Sequence, residues 1–360
     1  MFYHLFYPLK DLFFGFNIFR YITFRAVLAF ITSFLIVIFL GKLFIKYLRR
    51  MRLQEHIDMY GHLKLQAIFN GKKGTPTMGG LLVILSVFIS TFLWSRLDNV
   101  FVCLSLFILL SFGILGLFDD YLKLKHKKGL KRAPKFIIQL VLGVCLGLFL
   151  ITFRVVDPVV HFPFFKDFVL RLGYVYIIWT ALVISASCNS VNFTDGLDGL
   201  AIGSILMVSL VFAVFSYISG NVKFSTYLFL PFIKDTGELA VFCSCILGSG
   251  LGFLWFNAQP AEVFMGDVGS SALGASLGVV AIFTRKELWL LIAGGLFVIE
   301  ALSVILQIGS VRLFNKRLFK AAPFHHHLQL LGWSESKITV RLWIISSLFA
   351  ALAFATLKLR

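Results

Sequence analysis

The feature that most constrains this chain is a repetition of long apolar runs, each close to the length that crosses a bilayer and each followed by a more polar loop. About 20 predominantly apolar residues in a helix span the hydrocarbon core. The runs predict ten spans, at roughly 23–47, 78–94, 100–118, 136–152, 172–189, 199–219, 239–256, 269–283, 288–313 and 338–357. Within each run the apolar residues are continuous, unlike the one-faced pattern of a helix packed on a soluble core. Only 14% of the 360 residues are charged, against about 25% in ordinary soluble domains. The expectation is a single all-α, multi-pass membrane domain covering residues 1–360. The ninth span carries Glu300 and Gln307 and is long enough to be tilted or broken.

Loop charge sets the orientation, because cytoplasmic loops carry an excess of Lys and Arg. The loop after the first span holds Lys72 and Lys73. The loop after the third holds Lys123, Lys125, Lys127, Lys128, Lys131, Arg132 and Lys135. By parity both lie on one side, which is predicted to be the cytoplasm, with both termini periplasmic. The outer segment 153–171 mixes β-branched and aromatic residues with prolines and reads as a short hairpin. The first twenty residues are rich in Phe and Tyr, as suits a stretch at the membrane interface. Lys42, Lys46, Arg49, Arg50 and Arg52 follow the core of the first run, and no small-residue exit marks a cleavable leader.

The net charge of +17 points to anionic partners: lipid headgroups, phosphates or nucleotides. The basic residues sit in short inter-helix loops, so nucleic acid is not an expected partner. The five cysteines lie in or beside apolar runs without CxxC spacing and read as small packing residues. No internal repeat supports an inverted-repeat transporter.

Five motifs fall on the predicted cytoplasmic side. Gly74-Thr75-Pro76-Thr77-Met78-Gly79-Gly80 opens the second span. It reads either as a Pro-assisted helix start or as a small-residue approach to an anion. Asp119-Asp120 ends the third span, where carboxylates oppose the helix macrodipole and the following lysines compensate. Neighbouring helical residues point about 100° apart, so the two acids are expected to have different roles. The segment from Asn189 to Gly199 carries Asn192, Asp195 and Asp198 and no cation. Its hard oxygens suit magnesium, or the edges of a base and ribose. Asp195 and Asp198 are spaced to share one helical face. The segment from Asn257 to Ser270 contains Phe264 and Asp267; Asp267 reads equally as a helix N-cap or as a carboxylate for a metal. Pro323-Phe324-His325-His326-His327 lacks zinc spacing and suits phosphate binding or the orientation of an acid. Glu300 lies inside a span, where an ionisable group is costly and often functional. Carboxylates beside lysine-rich loops, at a membrane, point to magnesium-assisted phosphoryl transfer to or from a lipid phosphate.

The motifs GTPTMGG, GLFDDYLK, NSVNFTDGLDGL, FNAQPAEVFMGDVGS and PFHHH occur in that order. In this the chain closely resembles, over its whole length, the phospho-N-acetylmuramoyl-pentapeptide transferases, a bacterial branch of the polyprenyl-phosphate hexosamine-1-phosphate transferases. The resemblance implies transfer from UDP-MurNAc-pentapeptide to undecaprenyl phosphate, giving lipid I and UMP, with Mg2+. It implies a homodimer of ten-helix protomers in the bacterial inner membrane with a cytoplasmic active site. The GlcNAc-1-phosphate transferases are the related alternative. By resemblance, Asp119 is the candidate base, Asp120 supports it or the metal, and Asp267 is the magnesium ligand. His326 joins them as a catalytic position, flanked by His325 and His327 near the sugar or phosphate. Lys72, Thr77, Asn192, Asp195, Gly196, Leu197, Asp198 and Phe264 match substrate-pocket positions. Asn189, Asn257, Ser270 and Gln307 line the neighbouring cleft, and Lys123 and Lys135 meet phosphate. One position departs from the family pattern: Gln329 stands where an acid is usual.

Overall fold

The computed structural model describes residues 1–51, 53, 74–126, 129–165 and 168–358. Lys72, and Lys73, Lys127 and Lys128 with it, lie outside the described residues. In chain order the helices are α1 (Phe2–Phe6), α2 (Ile22–Arg50), α3 (Gly80–Trp94), α4 (Val100–His126) and α5 (Arg132–Thr152). Then follow α6 (Tyr176–Thr194), α7 (Leu200–Ser219), α8 (Val222–Tyr227), α9 (Leu239–Asn257) and α10 (Gly266–Phe283). The last are α11 (Glu287–Ala293), α12 (Gly295–Phe314), α13 (Phe324–Leu330) and α14 (Glu335–Ala355). Among the described residues, nine helical segments are long and apolar enough to cross a membrane, and the 15-residue α3 is a shorter apolar helix. The hairpin expected over 153–171 is present, as strands β1 (Val159–His161) and β2 (Val169–Arg171), with Val160 opposite Leu170.

Helix α10 is the centre of the bundle. All its residues from Val268 to Phe283 are buried, against α4 and α6 and, less extensively, α3 and α7. Its sequence explains this: Gly269, Ser270, Ser271, Gly274, Ala275, Ser276 and Gly278 let neighbouring backbones approach closely. Where water gives no drive for apolar helices to associate, such close contact holds the bundle together. The outer helices present exposed apolar side chains, among them Phe107, Ile114 and Phe118 on α4 and Ile305 and Leu306 on α12. In a membrane chain this is the lipid-facing surface.

Several helices outrun their apolar cores. The third span, expected to end at 118, continues as α4 to His126, so Asp119 and Asp120 are internal to the helix. The fifth, expected at 172–189, starts at Tyr176 and runs to Thr194. Hydropathy marks the stretch in hydrocarbon; polar residues continue the helix where its backbone is already satisfied. The ninth span is broken, as its length allowed, with Gly294 between α11 and α12.

A buried ion pair ties the end of the bundle opposite the acid motifs. The Arg25 guanidinium donates to both Glu238 oxygens, at 2.6 and 2.5 Å, and to the Trp94 carbonyl at 3.1 Å. The fork matches a carboxylate bidentately, linking α2 to the start of α9.

Candidate active site

The acids converge because α4 and α10 touch. A Cβ at Gly116 would run into the backbone of Asp267 and Val268, and one at Gly80 into the backbone of Gly269. The lack of side chains there brings the end of α4, the start of α3 and the start of α10 together. The GTPTMGG segment has a definite part in this. Phe264 N–H donates to the Pro76 carbonyl at 2.8 Å. Gly79 N–H donates to that of Phe264 at 2.8 Å, and Gly80 N–H to that of Met265 at 2.9 Å. The segment is a backbone splint for the loop that presents Asp267. Thr77 is buried within it. Gly116→Val should force these helices apart; overpacking of this kind costs about 1–3 kcal/mol. The expected result is a lower thermal unfolding midpoint in detergent, and an unchanged midpoint would mean that the contact has slack.

Among the described residues, three carboxylates and two ammonium groups share the junction. Lys123 Nζ lies 3.3 Å from Asp119, 3.2 Å from Asp120 and 2.9 Å from Asp267. Lys135 Nζ, from α5, lies 2.9 Å from Asp119 and also pairs with Asp267. Asp119 accepts the Leu130 N–H at 2.6 Å as well, and Asp120 accepts the Val268 N–H at 3.1 Å. The two adjacent acids thus turn to different partners: Asp119 to α5 and the loop before it, Asp120 to the first turn of α10. Asp267 is the second residue of α10, whose N-cap is Met265, so the N-cap reading does not hold. Its side chain is 17% exposed, against 4% for Asp119 and 5% for Asp120, making it the acid most open to an incoming group.

Around this cluster lie two further groups of predicted residues. Asn192 donates to Ser270 Oγ at 3.0 Å, joining the end of α6 to the first turns of α10. Asn189 donates to Gln139 Oε1 at 2.6 Å. Asp195 and Asp198 do not share a helical face. Asp195 is the C-cap of α6, and Asp198 lies in the turn that ends at Gly199, whose φ is +74°. Gly199 permits that turn, and i,i+3 spacing loses its meaning once the helix has ended. Asp198 is buried and accepts the Ala261 N–H at 3.1 Å. Asn257 accepts the Gly199 N–H at 3.1 Å and donates to the Val263 carbonyl at 2.8 Å. These two side chains therefore stitch the turn from Asp195 to Gly199 to the segment between α9 and α10 that carries Phe264 and leads into Asp267. Leu197 packs in a small cluster with Leu200, Leu328, Ile338 and Leu342.

The three histidines start α13 and point to three partners. His325 is fully buried, with Nδ1 3.2 Å from the buried Glu300 carboxylate, and its ring abuts Gly196. His326 Nδ1 lies 2.8 Å from Gln329 Oε1. His327 Nδ1 accepts the Lys320 N–H at 3.1 Å. Gln329 thus supplies an oxygen to an imidazole, as a carboxylate would, without the charge. Gln307 is committed to the following loop: it accepts from Leu318 and Phe319 N–H at 3.1 and 2.8 Å and donates to the Phe319 carbonyl at 3.2 Å.

Sequence reasoning missed a clamp on α14. Glu335 Oε1 accepts the Asp198 N–H at 2.8 Å, Thr339 Oγ1 donates to the Asp198 carbonyl at 3.3 Å, and Trp343 Nε1 donates to the Gly199 carbonyl at 3.2 Å. The three residues are four apart and share one helical face. That spacing was the available signal, although nothing in it names the backbone that the face grips.

Comparison with known proteins gives the chain a family. The model of glycosyl transferase family 4 matches residues 101–285, and signature 1 of the phospho-N-acetylmuramoyl-pentapeptide-transferases matches residues 72–84. The phospho-N-acetylmuramoyl-pentapeptide-transferase of Desulfotalea psychrophila is 48% identical over 366 residues, covering 100% of both chains. Those of Oleidesulfovibrio alaskensis and Thermodesulfovibrio yellowstonii are 47% and 46% identical, again with 100% of both chains covered. The chain, an integral membrane protein by its helices and a transferase by its relatives, belongs to the phospho-N-acetylmuramoyl-pentapeptide-transferase family.

Proposed function

We propose that the protein transfers phospho-MurNAc-pentapeptide from UDP-MurNAc-pentapeptide to undecaprenyl phosphate, giving lipid I and UMP in peptidoglycan synthesis. The observation that carries this reading is the junction of Asp119, Asp120 and Asp267 with Lys123 and Lys135. It combines fixed cations for phosphate with one carboxylate open to an incoming group. The lysine-rich loops support a cytoplasmic position for this end, with ten spans in a bacterial inner membrane when α3 is counted. The homodimer belongs to the same reading and rests on the family alone.

An apolar groove supports a lipid acceptor. It encloses about 190 Å³ between α6 and α11–α12, lined by Trp179, Leu182, Ala186, Leu291, Phe297 and Val298 among others. It reaches Ser190, which is one residue from Asn189 and two from Asn192 near the end of α6. A polyprenyl chain lying there would bring its phosphate towards the acid cluster without leaving apolar surroundings.

The donor set fits magnesium: hard carboxylate oxygens, with no thiolate among them. Among the described residues, no three Asp, Glu, His or Cys side chains form a ready chelate. Magnesium characteristically rests on one or two carboxylates plus substrate phosphates, and Asp267, the most exposed acid, is the residue that would hold it. When bound, the ion neutralises pyrophosphate charge.

The chain's own groups do the rest. Lys123 and Lys135 are held in place by Asp119, Asp120 and Asp267, and their fixed charge is available to phosphate without reorganisation. Asp119 has both oxygens engaged, so it serves better to orient these lysines than to remove a proton from a phosphate that is already ionised. In the direct route a lipid phosphate oxygen attacks the β-phosphorus of the nucleotide sugar; the new P–O bond forms as the bond to the UMP oxygen breaks. In the two-step rival Asp267 attacks first. Labelled sugar phosphate trapped on the enzyme without acceptor would sink the direct route. The reaction itself is tested by magnesium-dependent UMP release from purified protein offered both nucleotide sugars. Release from UDP-MurNAc-pentapeptide is expected; release from UDP-GlcNAc alone would replace this reading with the GlcNAc-1-phosphate alternative.

Phe264, Asn192 and the Asp195–Asp198 turn are assigned to the nucleoside, with Lys72 beside them by resemblance. The α14 clamp makes Glu335 a positioning residue for that turn. Losing a hydrogen bond to a charged group costs about 1.5–3 kcal/mol. Glu335→Ala should therefore raise KM for the nucleotide sugar about tenfold or more with a smaller fall in kcat, and Glu335→Gln should restore most of the loss. Equal falls in kcat for both variants with KM unchanged would refute the assignment.

A further inference from the structure

The segment from Arg312 to Lys320, at the end of α12, takes no part in the chemistry above. It reads RLFNKRLFK: four cations, no acid, and four large apolar residues. Arg312, Lys316, Arg317 and Lys320 are exposed, and so are Leu313, Phe314 and Leu318. For a surface in water this would be an unfavourable amount of bare hydrocarbon. It is also not a slack loop. Asn315 turns the chain in the left-handed region at φ 51°, Ser310 Oγ donates to the Lys316 carbonyl at 2.8 Å, and Gln307 holds Leu318 and Phe319.

Its position accounts for the pattern. It continues directly from α12, which is mostly exposed along its length and carries Leu302, Ile305, Leu306 and Ile308 on its outer surface. A helix with such a surface lies against lipid, so the segment that ends it emerges at the headgroup layer. There apolar side chains enter the acyl boundary while basic ones reach phosphate. Cations close to an anionic leaflet gain from its surface potential, and the gain falls off within a Debye length.

We propose that Arg312–Lys320 is a docking surface for anionic phospholipid headgroups, and that this contact braces the triple-histidine segment. The brace is built from named contacts. Lys320 N–H donates to His327 Nδ1 at 3.1 Å, and the Phe319 ring packs edge-on against both Phe324 and His327. Gln307, on the lipid-facing helix, holds the same loop from the other side. A headgroup layer that fixes the Arg312–Arg317 turn thereby fixes the start of α13, whose His325 abuts Gly196 in the assigned nucleoside turn. The binding part stands on the surface alone; the effect on activity rests on the transferase reading.

The test uses full-length protein and the variant Arg312→Gln/Lys316→Gln/Arg317→Gln, none of whose side chains belongs to the site. Native mass spectrometry after exchange into mixed phosphatidylglycerol and phosphatidylcholine measures the lipid retained. Wild type should keep phosphatidylglycerol in preference, and the variant should lose that preference. UMP release in phosphatidylcholine vesicles, with and without phosphatidylglycerol, should rise with the anionic lipid for wild type and stay flat for the variant. Unchanged lipid retention in the variant would overturn the docking surface, whatever the rates. Lost retention with an unchanged lipid dependence of the rate would overturn the brace. A raised KM for the nucleotide sugar in neutral detergent, with retention unchanged, would reassign the cations to the soluble substrate. Absence of UMP release from wild type in every condition would instead count against the transferase reading and leave the retention result standing.

Discussion

Asp267→Asn is expected to lower UMP release by about a hundred- to thousandfold, the range found when one preorganised electrostatic group is removed from an active site. Charge count and access both set Asp267 apart. Asp267 faces Lys123 at 2.9 Å and Lys135 as well, and it is the most exposed of the three acids. Asparagine keeps the shape and leaves two carboxylates facing two ammonium groups, so the local surplus of negative charge disappears. The fold should survive, because the neutral amide still has neighbours with which to hydrogen-bond. Titrating magnesium against rate separates the possible roles. A metal carboxylate predicts that more magnesium is needed for half-maximal rate, with some activity recovered at high concentration. A nucleophile predicts a loss that no amount of metal restores. A wild-type rate with an unchanged magnesium dependence would remove Asp267 from both roles.

The second large effect is expected at Lys135. It is the cluster's member from α5, bridging Asp119 and Asp267. Lys135→Met keeps most of the side-chain length and, among the described residues, leaves the three carboxylates to Lys123. Removing one partner of a buried pair costs about 3–5 kcal/mol. Lys123 and Asp267 are partly open to water, which places the expected loss at the lower end. Thermal unfolding in detergent should show it as a clear drop in midpoint, accompanied by loss of UMP release. Lys135→Arg retains the charge and should recover the stability more fully than the activity, since a guanidinium fork does not place its charge where an ammonium does. If the methionine variant unfolds like wild type, the acids are not held together by this lysine.

Those expectations show which parts of the site could be read in the chain. The five motifs mark the acids, and loop charge put them on one side, because hydropathy and charge are properties of local sequence. Helix ends were less legible. Asp119 and Asp120 lie inside α4, since nothing polar stops a helix whose next turns reach headgroups and water. Asp195 and Asp198 looked like one helical face, yet the helix ends at Thr194 and the chain turns through Gly199. The Glu335–Thr339–Trp343 clamp grips backbone N–H and C=O groups of Asp198 and Gly199, and backbone carries no sequence signature. The same is true of the pairing between Pro76–Gly80 and Phe264–Met265, which gives the GTPTMGG motif a structural reason beyond ligand approach. Gly116 matters for what it lacks, and an absent side chain identifies no partner.

Helix α3 has a consequence for depth. Its 15 residues rise only about 22 Å at 1.5 Å each, short of the roughly 30 Å of a hydrocarbon core. Extended backbone at such a level is tolerated where protein satisfies it, and the strand-like pairing at Phe264 and Met265 does so. With the Trp94 end of α3 at one membrane surface, its Gly80 end and the Pro76–Gly80 splint beside the Asp267 loop would stand short of the opposite one. In that arrangement a lipid acceptor would not need to rise out of the bilayer to react; a water-soluble donor would have to descend to it, and would leave part of its hydration behind on the way.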